Sequence, residues 1–310
     1  MFPTRILLAT DGSREANRAA RLAVGLSNKL DSELHVVHVG EIPDAYVPAE
    51  SEILDPEFYE RMRKYAEREA KVKLEEEIGE IREMGSEVAG VQAGVGRPDA
   101  KIVRLAEEIG AGLVVVGSRG FGPLRRALMG SVSTSVVRHA HCSVLVVREY
   151  GGSKRDHLPG RILLAIDGSR EAQLAARAAV EISGAAGSEL HLTYAMQAER
   201  YVPHLGPEMW EGWQAGFERA KQHARSWLEG QAELMQGEGA KAAEGHLVLG
   251  RPDAAIVWLA DEIEAGLVVV GSRGHGGMRA LIGSVSDSVV HHADCPVLVV
   301  RDQEHAERQI

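Results

Sequence analysis

The chain has 310 residues, 45% of them hydrophobic and 26% charged, with a formal net charge of −10. That length suits two ordinary domains with packed cores, and the acidic balance argues against nucleic acid as a partner, since binding it needs clustered positive charge. No apolar run reaches bilayer-spanning length and the opening MFPTRILLATDGS has no signal-peptide pattern, so a cytoplasmic protein with no membrane partner is expected.

In chain order, RILLAT (5–10) is an apolar run suited to a strand buried on both faces. Asp11-Gly12-Ser13 breaks it and caps a helix over about Arg14–Leu30. ELHVVHV (33–39) is a second strand, followed by a charged amphipathic helix over roughly 56–84. EVAGVQAGV (87–95) is a third strand, and Arg97-Pro98-Asp99 opens the next helix, with proline in the first turn where its missing N–H costs little. GLVVVG (112–117) and SVLVV (143–147) are the fourth and fifth strands, with a helix from about Ser131 between them.

The second half repeats this order. RILLATDGSREA at 5–16 returns as RILLAIDGSREA at 161–172; AGLVVVGSRG occurs at 111–120 and 265–274, and GRPDA at 96–100 and 250–254. A repeat of this period is a domain and not a solenoid unit. The expected organisation is domain one at 1–150, a linker at 151–160, domain two at 161–302 and a polar tail at 303–310. Strands alternating with helices imply parallel pairing and right-handed crossovers. Each domain is therefore an α/β doubly wound sheet that binds ligands beyond the carboxyl ends of its strands. Asp11 and Gly117 both fall on that edge.

Two loops carry the chemistry: GSRGFGPLRRALMGSVS (117–133) and GSRGHGGMRALIGSVS (271–286). The first holds Arg119, Arg125 and Arg126 and no acid; the second holds Arg273, His275 and Arg279 and no acid. In an acidic chain that imbalance favours an anion. Gly117 and Gly120 let the backbone approach a ligand, and Gly130-Ser131 opens a helix whose first N–H groups lack internal partners. Those donors, with the hydroxyls of Ser131 and Ser133, make a phosphate seat. The pattern is neither a Walker A loop nor the dinucleotide fingerprint. A plain glycine-rich connection with capping serines explains the same residues, and both readings stand. Asp11 and Asp167 are likewise open between capping a helix and accepting a hydrogen bond from a ligand.

The spacing Gly-two-Gly-nine-Gly-Ser after an apolar fourth strand, with the early Asp-Gly-Ser, the Gly-Arg-Pro and the valine-rich last strand, resembles the universal stress protein signature. The resemblance covers both halves. It implies five-stranded parallel sheets of order 3-2-1-4-5, packed as an internal pseudo-dimer about the last strands, with further homo-dimer formation open. It also implies an adenine nucleotide, ATP, as cofactor, with Mg at the phosphates allowed. Carried over, the adenine contacts fall at Asp11 and Val39. The ribose and phosphate contacts fall at Val116, Gly117, Arg119, Gly120, Gly130, Ser131, Val132 and Ser133. The matching positions in the second domain are Asp167, Ala195, Val270, Gly271, Arg273, Gly274, Gly283, Ser284, Val285 and Ser286. Nine residues separate Gly120 from Gly130 but eight separate Gly274 from Gly283. The missing residue falls in FGPLR against HGGM, so the second domain keeps its seat and differs in affinity.

The function this implies is an ATP-binding stress-response regulator whose nucleotide occupancy biases loop order and the choice of an unknown protein partner. The alternatives are a nucleotide-independent scaffold and a slow ATPase or nucleotidyl transferase. No nucleophile–base pair or paired carboxylates stand out, so at most weak ATP hydrolysis is expected. Tyr46 and Tyr201, each followed by Val-Pro after a second strand, either cover the pocket or pin their loops. His139, His141 and Cys142, and likewise His291, His292 and Cys295, lack the further ligands that would complete a zinc site, and no metal centre is expected. Cys142 and Cys295 are expected as thiols. Of Trp210, Trp213, Phe217 and Trp227, most are expected in the core.

Overall fold

A computed structural model of the chain describes residues 3–41, 56–120, 129–148, 158–197, 207–274 and 282–302. They form two compact units, 3–148 and 158–302. Tyr46, Tyr201, Arg125, Arg126, His275, Arg279, most of the linker and the polar tail lie outside the described residues.

In the first unit the elements are β1 (Arg5–Thr10), α1 (Arg14–Leu30), β2 (Glu33–Gly40), α2 (Pro56–Glu83), β3 (Val88–Val95), α3 (Pro98–Glu108), β4 (Leu113–Gly117), α4 (Ser131–His139) and β5 (Ser143–Val147). The strands are parallel and lie in the order β3-β2-β1-β4-β5. The chain runs outward from β1 through β2 to β3, then crosses back to β4 on the other side of β1. The order in which strands are added therefore reverses between β1 and β4, and the crevice beyond their carboxyl ends is the switch point where such sheets bind ligands. Burial explains the apolar runs: Ile6, Leu7, Leu8, Val114 and Val115 are wholly enclosed because helices cover both faces of the central strands.

The second unit repeats this with β6 (Arg161–Ala165), α5 (Arg170–Ala186), β7 (Glu189–Met196), α6 (Pro207–Gly237), β8 (Ala243–Leu249), α7 (Pro252–Glu262), β9 (Leu267–Gly271), α8 (Ser284–His292) and β10 (Val297–Val300). Its parallel order is β8-β7-β6-β9-β10.

The Gly-Arg-Pro-Asp-Ala motif works as a clamp. Gly96 has φ +129 and Gly250 φ +133, a region that only glycine enters without strain. Arg97 Nη2 donates to Asp99 Oδ2 at 2.8 Å, and Ser135 Oγ on α4 donates to the same oxygen at 2.8 Å. One carboxylate thus ties α3 to α4. Arg251, Asp253 and Ser288 repeat the tie at 2.9 Å for each bond. The hydrogen bond from Arg97, with those from Ser135 and the Ala100 N–H, holds the Asp99 carboxyl below its usual pKa against the upward pull of burial. At Asp253 burial is the largest single influence and pulls upward, but the bonds from Ser288, Arg251 and Ala254 together outweigh it and the pKa is again lowered.

The long helices differ between units. On α2, Ala70, Leu74, Ile78 and Ile81 are buried at helical spacing, and Glu77 is buried beside them against His38 of β2, at 3.2 Å. On α6, Trp227 meets Tyr194 edge-on, with ring centroids 5.6 Å apart. The described aromatic side chains of α6 are not core, against expectation: Trp213 and Phe217 stack on each other half-buried, and Trp227 is exposed, while the side chain of Trp210 lies outside the described residues. The buried stripe of the helix is filled instead by Leu228, Ala232 and Met235. Cys142 and Cys295 are buried and are thiols, not disulfide-bonded.

Candidate functional site at the strand ends

The start of α1 settles the roles of Asp11 and Ser13. Ser13 is the N-cap, with its Oγ accepting from the Ala16 N–H at 3.2 Å. Asp11 instead accepts the Ser13 N–H on Oδ1 at 2.9 Å, the turn that Gly12 permits at φ +80. Its other oxygen, Oδ2, faces Gly120: a Cβ on Gly120 would run into it. The second unit is built alike, with Ser169 capping α5, its N–H donating to Asp167 Oδ1 at 2.9 Å, and Gly274 against Asp167 Oδ2. The cap is the serine, and the second oxygen of each aspartate faces the loop glycine at the crevice.

The first glycine of each loop is a packing residue. A Cβ on Gly117 would lie 2.9 Å from the Ala16 nitrogen and the Glu15 carbonyl carbon, and one on Gly271 would lie 2.8 Å from the Glu171 carbonyl carbon. Without side chains there, the end of β4 or β9 comes directly against the first turn of α1 or α5.

The base of each loop is stitched shut by three bonds. In the first unit Gly130 N–H donates to the Ser118 carbonyl at 2.8 Å, Ser133 Oγ to the Gly117 carbonyl at 2.6 Å and Ser118 N–H to the Val147 carbonyl at 2.6 Å. In the second, Gly283 N–H donates to Ser272 at 2.7 Å, Ser286 Oγ to Gly271 at 2.6 Å and Ser272 N–H to Val300 at 2.8 Å. The base is the same in both, although the second spacer is one residue shorter; the difference falls in the part of each spacer outside the described residues. Ser133 and Ser286 are buried and spend their hydroxyl protons on this closure. What they offer a ligand is the backbone N–H.

Above this base, α4 and α8 begin at Gly130 and Gly283, and no described side chain caps either helix. Their first N–H groups, at Ser131, Val132 and Ser133 and at Ser284, Val285 and Ser286, are the orphan donors of a helix start. Such donors, with the positive end of the helix dipole, are of the kind that can accept an anion. The contrast with α1 and α5, whose starts are satisfied by serine hydroxyls, lies within the same fold. Val116 and Val270 have their side chains in the core, so only their backbone reaches the edge. Val39 and Ala195 stand at the ends of β2 and β7.

The arginines differ. Arg119 Nη2 pairs with Glu15 Oε1 at 3.2 Å, both largely buried. The loop's own lack of acid is therefore answered from the first turn of α1, a partner that loop composition cannot reveal. In the second unit the Arg273 Nε is buried with no hydrogen-bond partner among the described residues. The histidine–cysteine groups do not converge: His139 Nδ1 bonds the Ser135 carbonyl at 2.8 Å, His141 pairs with Glu107, and Cys142 is buried.

Two doubly wound α/β units, each with a glycine loop closed under an uncapped helix and an aspartate at its switch point, define a tandem α/β protein. The sequence profile of the universal stress protein family matches residues 3–148 and 159–301. The chain belongs to that family. It is 30% identical over 306 residues to a universal stress protein of Mycolicibacterium smegmatis, covering 96% of each chain. It is 33% identical over 205 residues, 66% of each chain, to one from Mycobacterium tuberculosis strain H37Rv. The fold is similar to that of a universal stress protein from Archaeoglobus fulgidus, at TM-score 0.65, 23% identity and 96% coverage of each chain. It is also similar to a protein of unknown function from Pseudomonas aeruginosa, at TM-score 0.67 and 21% identity, covering 99% of this chain and 97% of that one. Among the described residues no helix is long and apolar enough to cross a membrane.

Proposed function

We propose that each domain binds an adenine nucleotide, ATP with Mg at its phosphates, and that occupancy regulates which protein partner the chain engages in the cytoplasm. The observation that carries this reading is the uncapped start of α4 and of α8, each set over a closed glycine base beside an aspartate oxygen. The phosphates would take the backbone donors at Ser131–Ser133 and Ser284–Ser286. Asp11 and Asp167 would accept from the base or ribose, and Gly120 and Gly274 leave room for that. Family membership supports the nucleotide over a bare phosphate.

The two sites are unequal on this reading. Arg119 divides its charge between Glu15 and a ligand, whereas Arg273 carries a donor with no described partner. No general base or nucleophile acts on the phosphates in the proposal, so occupancy and not turnover is the signal. The test is to heat-denature the purified chain, identify the nucleotide released, and record thermal shifts with ATP. Released adenine nucleotide and a shift with ATP are expected. No nucleotide and no shift would favour a scaffold that works without one, and rapid turnover would favour an enzyme.

A further inference from the structure

On β7 and β8, away from the glycine loop, three side chains of the second unit converge. His191 Nδ1 lies 3.0 Å from His246 Nε2 and 3.8 Å from Glu244 Oε2, and the three ligand atoms all lie within 4.8 Å of one another. We propose that His191, Glu244 and His246 form a binding site for a divalent transition ion, Zn2+ foremost, with its remaining position open to water or an exogenous ligand.

The geometry fits such an ion. Two nitrogens on one tetrahedral zinc, each about 2.0–2.1 Å from it, stand about 3.3 Å apart, close to the spacing found. A hydrogen bond between the rings uses one proton and leaves the carboxylate out; a cation would draw on all three nearby donor atoms. Imidazole and carboxylate together suit zinc and its first-row neighbours better than Mg2+ or Ca2+. The ring of His191 is mostly buried and that of His246 partly so, while Glu244 is exposed, which gives an ion a path from solvent.

The framework is rigid. Glu244 pairs in register with His191, and His246 with Thr193, so the three residues sit on two adjacent parallel strands. The position between the two ligands on β8, Gly245, faces Leu228 of α6. By strand alternation Glu244 and His246 face the opposite side. The first unit lacks the site. Its His35 pairs with Gly90, over which its ring packs, and Val37 pairs with Gln92. A glycine and a glutamine stand where the second unit has a glutamate and a histidine.

The test uses the full chain, stripped with a chelator and free of nucleotide, titrated with ZnCl2 in a calorimeter and melted with and without ZnCl2. One equivalent per chain and a raised melting temperature are expected. His246→Gln, the residue the first unit carries at this register, is expected to lower affinity at least about tenfold and to abolish the zinc-induced shift. Glu244→Gln, an exposed position that leaves the strand intact, is expected to weaken binding in the same direction. No stoichiometric binding, or binding equal in the wild type and both variants, would overturn the site.

Discussion

At the scale of single residues, the two framing glycines do different jobs. Gly117 lets β4 meet the backbone of α1, whereas Gly120 makes room for the carboxylate of Asp11. Gly117→Ala is expected to cost about 1–3 kcal/mol of stability, since a backbone contact must shift, measured by denaturant unfolding. Gly120→Ala displaces only the end of a side chain. It is expected to weaken nucleotide binding about tenfold or more while stability changes by less than about 1 kcal/mol. A Gly120→Ala chain with unchanged affinity would show that Asp11 does not read the ligand. The aspartate was legible in the sequence as a residue at a strand end, but its role was not. Whether Asp11 or Ser13 caps α1 depends on backbone angles, and only the structure shows that the serine takes the helix N–H. Glu15 was missed for a similar reason, since its partner Arg119 is remote in sequence and meets it only once β1 and β4 lie side by side.

At the scale of elements, the order of strands and helices, the strands of the first unit and the starts of its helices could be read directly, because doubly buried strands leave uninterrupted apolar runs and serine and proline mark helix starts. The aromatic residues of α6 could not, since apolar character alone does not say which stripe of a helix is inward. Two element-level contacts are testable. His38 and Glu77 join β2 to α2 in a buried bond, so Glu77→Ala is expected to destabilise the first unit by roughly 2–3 kcal/mol by stranding the imidazole; thermal melting checks this. Asp99 and Asp253 join α3 to α4 and α7 to α8. Both carboxyls are held below the ordinary aspartate pKa of 3.8. The stability they add is therefore present above that pH and is lost as pH falls through the folded values. The melting temperature is expected to drop between about pH 5 and pH 3, and less steeply in an Asp99→Asn/Asp253→Asn chain. Parallel pH profiles of the two chains would count against the clamp.

At the scale of the whole molecule, duplication preserved one feature and let another diverge. The closed base and uncapped helix recur in both units with bond lengths that agree within 0.2 Å. The edge strands differ, and β8 carries a glutamate and a histidine where β3 carries a glycine and a glutamine, beside a histidine that both units share. That convergence was invisible in the sequence because its members come from two strands 53 residues apart, His191 to Glu244, and a search for ligands close together in the chain finds the wrong histidines. The recurring seats lead to the central claim, two working and unequal nucleotide sites per chain. Calorimetric titration of nucleotide-free protein with MgATP tests it most directly. Two sites of different affinity are predicted, with Gly120→Ala weakening one and Gly274→Ala the other. Saturation at one ATP per chain, or no binding at all, would contradict it.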